Sequence, residues 1–148
     1  MRNARGKAER ARLPRQQRGV PRGQGIVIGA DTFLYFRGRI IGKPRSMAHA
    51  WRMLRELRGR SHWVYTGLCL RDPSTRRVRT SYAKSRVRFK AVDDAAIRAL
   101  FSRIDPLDKA GAYAVQEDRG VLIARIDGSR TNVIGLPLEL LRRELAAW

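Results

Sequence analysis

The stretch "IGADTFLYFRGRIIGKP", residues 28–44, carries an apolar, β-branched approach into an Asp-Thr pair and ends on Gly-Lys-Pro. Residues 26–30 are short and almost uninterrupted in apolar character, the pattern of a strand covered on both faces. Residues 32–36 predict a second strand, closed by a turn at "RGR". On this reading Asp31 falls at the carboxyl end of a buried strand, where ligands gather in open α/β sheets. A carboxylate there can hold a divalent cation or take a proton from an attacking water. Lys43, on a turn set by Gly42 and Pro44, can offer positive charge to phosphate oxygens. An aspartate at a strand end and a lysine in a turn are also common solubilising choices, so the spacing alone leaves both readings open.

Working outward, Ser46 predicts an N-cap, with Met47, Ala50, Trp51, Leu54 and Leu57 at helical spacing and Gly59 as the stop. "HWVYTGLCL", residues 62–70, reads as a strand and "DPST" as its turn. Basic residues then alternate with Val78, Thr80, Val87 and Phe89, which predicts strands with one solvated basic face. Asp93 and Asp94 open a helix through Ile97, Leu100 and Phe101, with acidic groups at its positive end. Residues 105–120 form a loop, "VLIARI" is the last strand, and Pro137 starts a terminal helix. The fold class is α/β, with several strands that look antiparallel.

The chain has 148 residues, 43% of them hydrophobic, which suits one domain of the usual ~100–200 residues. No apolar run approaches the roughly 20 residues of a spanning helix, so no membrane association is expected. Cys69 is the one cysteine, which excludes an internal disulfide and reads as a small core side chain in a reducing compartment. The outlier is charge: 32 Lys and Arg against 13 Asp and Glu give +19. Such an excess predicts affinity for polyanions, whether nucleic acid, acidic headgroups or phosphorylated small molecules. Residues 1–24 carry seven Arg and one Lys against Glu9 alone, with almost no apolar periodicity. They read as a disordered basic arm ahead of a domain at residues 25–148. Their Arg-rich composition also fits a transit peptide, but they lack the Ser and Thr such segments use. Neither histidine belongs to a metal-ligand motif, and there is no Walker A, G-x-S-x-G or zinc-ligand cluster. His62 reads as a satisfied or exposed strand-end imidazole.

Four segments, "GADTFLYFRGRIIGKP", "GRSHWVYTG", "DPLDKAGAYAVQ" and "GSRTNVIGLPLELL", resemble in order and spacing the Maf family of nucleoside triphosphate pyrophosphatases. The resemblance covers about residues 25–141. It implies a twisted mixed β-sheet with flanking helices and a cleft between two lobes. It implies hydrolysis of a nucleoside triphosphate to the monophosphate and pyrophosphate, in the cytoplasm, with Mg²⁺ or Mn²⁺. By the same resemblance Asp31 is the proton acceptor and a metal ligand, and Lys43 binds phosphate. Lys109 is a further phosphate contact, and Thr32 and Gln116 are linked to base choice. Thr after the aspartate and "DKAGAYAVQ" point to the branch acting on dTTP and UTP rather than on 7-methyl-GTP.

Family members open with a strand and a Ser-x-Ser-Pro-Arg-Arg segment, followed by an acidic segment, and neither is found ahead of Gly29. "LPRQQR", residues 13–18, is a faint echo to which no role is assigned. The first strand is therefore expected to be missing, which would weaken catalysis and leave apolar surface that a homodimer could cover. The alternative reading is a catalytically silent relative that binds nucleic acid non-specifically through its basic arm and strands.

Overall fold

The computed structural model describes residues 2–11 and 25–148. In chain order the elements are α1 (Arg2–Arg10), β1 (Val27–Phe36), β2 (Arg39–Ile41), α2 (Met47–Leu57), β3 (Ser61–Arg71), β4 (Val78–Phe89), α3 (Asp94–Phe101), two 3₁₀ turns (Pro106–Asp108 and Ala110–Ala112), β5 (Ile123–Asp127), α4 (Arg130–Ile134) and α5 (Leu138–Ala146). The strands form one sheet in the order β2-β1-β3-β4-β5. The α/β class with flanking helices holds. Where a mixed sheet was expected, every pairing among the described residues is antiparallel.

Two expected strands at residues 26–30 and 32–36 are one. β1 runs unbroken through Asp31, because β3 is long enough to pair with all of it, from Val27 opposite Arg71 to Tyr35 opposite Trp63. Asp31 therefore sits in mid-strand rather than at a strand's carboxyl end. β2 pairs only with Leu34, Tyr35 and Phe36, so among the described residues the earlier part of β1 is a sheet edge.

The burial of β3 changes along its length, and that change explains the layering. At His62–Tyr65 inward and outward positions alternate, whereas Thr66 through Leu70 are all buried. The alternating half has one covered face: Leu34, Phe36, Val64, Val87 and Phe89 pack against Leu54 and Leu57 of α2 and Ile97 and Leu100 of α3. The continuous half is covered twice. Leu68 and Leu70 meet Leu140 and Leu141 of α5, while Cys69 faces the other way onto Ala4 and Ala8 of α1. At the uncovered end of that second face, Tyr35, Trp63 and Tyr82 are exposed.

α1 corrects the reading of residues 1–24 as a disordered arm, at least over residues 2–10; residues 12–24, including "LPRQQR", lie outside the described residues. Its apolar face is made of two alanines, too small to register as hydrophobic periodicity but flat enough to seat a helix directly on a sheet. Gly29 makes the seat. A Cβ added there would stand 2.3 Å from the Ala4 carbonyl oxygen and 2.9 Å from Ala8 Cβ.

The predicted α2, α3 and α5 are present, the first two with side-chain caps: Ser46 accepts the His49 amide at 3.2 Å and Asp93 accepts that of Ala96 at 2.8 Å. The basic run is one strand, β4, and its apolar residues do not share a face. Val87 and Phe89 are buried, whereas Val78 and Thr80, of opposite parity, are exposed. α4 has no counterpart in the sequence reading. It is a single capped turn, with Ser129 accepting the Asn132 amide and Gly135 closing it at φ 119°.

Candidate functional site

A cavity of about 480 Å³ opens where the β1 edge, the loop after β2, the 3₁₀ turns and α4 meet, and Asp31, Thr32, Lys43, Lys109 and Gln116 all line it. The five sequence candidates, spread over 86 positions, thus share one hollow. Lys7, Asp108, Tyr113, Glu117, Ile134 and Gly135 complete much of the wall.

Strand alternation divides the work at the floor. Asp31 projects to the α1 side, where Lys7 Nζ lies 2.6 Å from its Oδ1 and also donates to the Ala30 carbonyl at 3.1 Å. Thr32 projects to the opposite side, with its hydroxyl 2.9 Å from that of Thr66. The second cationic group comes from the loop after β2. The Gly111 amide donates to the Gly42 carbonyl at 3.0 Å, tying that loop to the 3₁₀ turns. Gly111 holds φ 72°, and a Cβ there would fall 2.4 Å from Leu34 Cδ2, so the position requires glycine on two counts. This tie brings Lys43 Nζ to 2.6 Å from Asp108 Oδ1, with Lys109 Nζ 3.6 Å from the other oxygen. Lys43 first, then Lys109, holds the Asp108 carboxyl below its ordinary range. The cavity thus carries three lysines, each beside a carboxylate, and all three are 41–61% exposed.

The loop that carries Gln116 is fastened on both sides. Asp118 is buried and accepts the Leu122 amide at 2.6 Å and the Ile123 amide at 3.1 Å. Tyr113, also buried, meets His62 Nε2 through its hydroxyl at 2.8 Å. His62 is thus neither exposed nor fully satisfied: it is 1% accessible and its Nδ1 has no partner. Burial pushes its pKa down to about 4 and that of Tyr113 upward.

Among the described residues no three His, Cys, Asp or Glu side chains converge as a metal cage. That donor set still fits a small hard cation, which takes one or two carboxylates and completes its shell with waters and substrate phosphates. Asp31, Asp108 and Glu117 are the carboxylates that line the cavity and could serve as such ligands.

Three contributors escaped the sequence reading. Lys7 was hidden in a segment read as unstructured, although Ala4, Ala8 and the Arg5–Glu9 pair share helical i,i+4 spacing. Thr66 and Asn132 looked like ordinary strand and loop residues. The one available signal was a threonine in an otherwise apolar run.

A family model described as Maf-like protein matches residues 1–148. A dTTP/UTP pyrophosphatase of Clostridium tetani is 40% identical over 122 residues, covering 82% of this chain and 64% of that protein. The protein of the same name from Pelotomaculum thermopropionicum is 43% identical over 113 residues, 76% of this chain and 59% of its own length. That from Carboxydothermus hydrogenoformans is 38% identical over 125 residues, 84% and 67%. The chain therefore spans about three-fifths to two-thirds of the length of these curated relatives.

Proposed function

The chain belongs to the Maf family, and from that premise we propose that it is a nucleoside triphosphate pyrophosphatase acting on dTTP and UTP. The observation that supports this reading is the shared cavity, whose wall combines Asp31 and three lysines with Thr32 and the amide of Gln116. Attack by water at the α-phosphorus builds negative charge on phosphoryl oxygens, so catalysis requires fixed cations and a base.

Asp31 orients the water and accepts its proton as the new P–O bond forms. The bond between the α-phosphorus and the bridging oxygen breaks, and pyrophosphate leaves. Lys43 and Lys109, released from Asp108 by the incoming phosphates, bind the β and γ groups. Lys7 turns from Asp31 to the α-phosphate oxygen, which frees the carboxylate when substrate is in place. A Mg²⁺ or Mn²⁺ ion on Asp31 would supply further neutralisation of the phosphoryl oxygens. Gln116, which both donates and accepts, meets the amide edge of the base. The same reading places the chain in the cytoplasm, with which the buried free thiol of Cys69 agrees. No helix among the described residues is long and apolar enough to cross a membrane.

The test is release of pyrophosphate from dTTP and UTP with Mg²⁺ or Mn²⁺, and none from 7-methyl-GTP. Salt-sensitive retention of DNA or RNA without turnover of any nucleotide would overturn it.

A further inference from the structure

Beneath Thr32 lies a buried set of hydrogen bonds in which Asn132 Oδ1 is left without a partner. Thr66, Ser85 and Asn132 are each fully buried. Thr66 Oγ1 donates to the Asn132 main-chain oxygen at 2.9 Å. That oxygen, which also accepts the Gly135 amide at 3.1 Å, has no hydrogen of its own, so the bond assigns the single hydroxyl proton of Thr66 to this line. The other contact of Thr66, at 2.9 Å to Thr32 Oγ1, must then carry the proton of Thr32. Thr32 is left with lone pairs and a methyl group to show the cavity.

Asn132, the acceptor in this arrangement, is held in place by further hydrogen bonds of its own. Its amide donates to Ser129 Oγ at 3.1 Å, and its Nδ2 donates to the Val64 carbonyl at 3.1 Å and to Ser85 Oγ at 2.9 Å. Ser85 Oγ donates in turn to the Ser129 carbonyl at 2.9 Å. Gly135 closes over the same spot, where an added Cβ would stand 3.4 Å from Thr32 Oγ1.

We infer that Thr66 is a positioning residue that makes Thr32 an obligate hydrogen-bond acceptor, so that the cavity selects pyrimidines bearing a proton on ring N3 over cytosine. The inference rests on the pyrophosphatase reading and deepens it. Uracil and thymine present an N3–H donor, whereas cytosine presents a lone pair that would face the lone pairs of Thr32. Gln116 cannot make this choice alone, since its amide can turn either end toward the base. Selection by a polar group fixed in direction is stronger than selection by fit, because the wrong base leaves buried groups unpaired.

The experiment compares wild type, Thr66→Val and Thr66→Ser in two assays. The first is the ratio of kcat/KM for UTP over CTP. The second is the ratio of UMP to CMP affinity by titration, which needs no turnover. Wild type is expected to favour the uracil nucleotide in both. In Thr66→Val, Thr32 is free to rotate and donate to cytosine N3, so both ratios should fall about tenfold or more. Thr66→Ser, which keeps the hydroxyl, should retain them. A loss of stability alone would lower both substrates together and leave the ratios unmoved. No preference in wild type, or a preference unchanged in folded Thr66→Val, overturns the inference. If nothing is hydrolysed but Thr66-dependent UMP preference persists, the pyrophosphatase reading fails and this one stands.

Discussion

Two parts of the cavity wall are built in opposite ways. In one, Lys7, Lys43 and Lys109 are half-exposed and each leans on a carboxylate. Solvent screens such exposed pairs, so an incoming anion can rearrange them at little cost. At Thr32 the contact is to fully buried Thr66, which is tied in turn to the fully buried Asn132, itself bonded to Ser85. On the proposed function, charge that takes up and releases phosphates is held loosely, and the hydroxyl that discriminates between bases is held rigidly.

The largest expected effect lies at the junction of the two parts. Asp31→Asn keeps the size of the side chain but removes its capacity to accept a proton. Hydrolysis of dTTP should drop about 10²–10⁴-fold in kcat, with nucleotide affinity retained. Steady-state kinetics alongside equilibrium binding checks both halves, and a wild-type rate would remove Asp31 from the mechanism.

The rigid part should betray itself in acid. His62, against Tyr113 and Phe89, is held neutral by burial with its pKa lowered from 6.5 to about 4. The unfolded chain therefore binds more protons than the folded one between those values. The stability that His62 contributes is complete above about pH 6.5 and is lost as pH falls toward 4. The loss amounts to about 3 kcal/mol over that window, at ~1.4 kcal/mol per unit. Urea unfolding at a series of pH values should show this slope in wild type and lose it in His62→Phe.

The loose part should respond to salt instead. Lys43→Ala is expected to lower kcat/KM for dTTP about tenfold to a hundredfold, and to flatten its dependence on ionic strength. Its melting temperature should stay near wild type, since the Lys43–Asp108 pair is exposed. An equal loss of stability and activity would mean that Lys43 holds the loop rather than the substrate.

The same contrast decides what could be read from sequence. α2 and α3 were legible because apolar periodicity and side-chain caps agree, Ser46 and Asp93 in particular. β3 was legible as a strand, but its switch from alternating to continuous burial records a helix on each face, and one of those helices packs through alanines. Asp31 and Lys43 were singled out by their placement in a strand and a turn, whereas Thr32, Lys109 and Gln116 stood out through motif resemblance alone, because the turns that gather these residues bridge loops 65 residues apart, as in the Lys43–Asp108 pair. Thr66 and Asn132 were illegible for a different reason. A buried hydroxyl acquires a direction only from its acceptor, and here the acceptor is a main-chain carbonyl 66 residues away that no side-chain pattern marks.

Gly29 gives the smallest effect and the sharpest link between fold and site. Its backbone is ordinary extended strand, so alanine is not strained there by conformation. The difficulty lies outside the strand: the added methyl would meet the Ala4 carbonyl oxygen at 2.3 Å and the Ala8 nitrogen at 2.9 Å, both main-chain atoms of α1. Neither can swing aside, so α1 as a whole must lift from the sheet. The sheet itself, paired from Val27 to Tyr35 with β3, has no reason to change. Lys7 rides on α1 and would lose its 2.6 Å contact with Asp31. Gly29→Ala should therefore resemble Lys7→Ala, each lowering kcat/KM for dTTP by about tenfold, the scale of one charge-assisted contact. Because both act on one interaction, the double variant should be no worse than either alone. Additive losses would show that α1 serves the site through something other than Lys7, and a neutral Gly29→Ala would show that α1 does not sit on this strand.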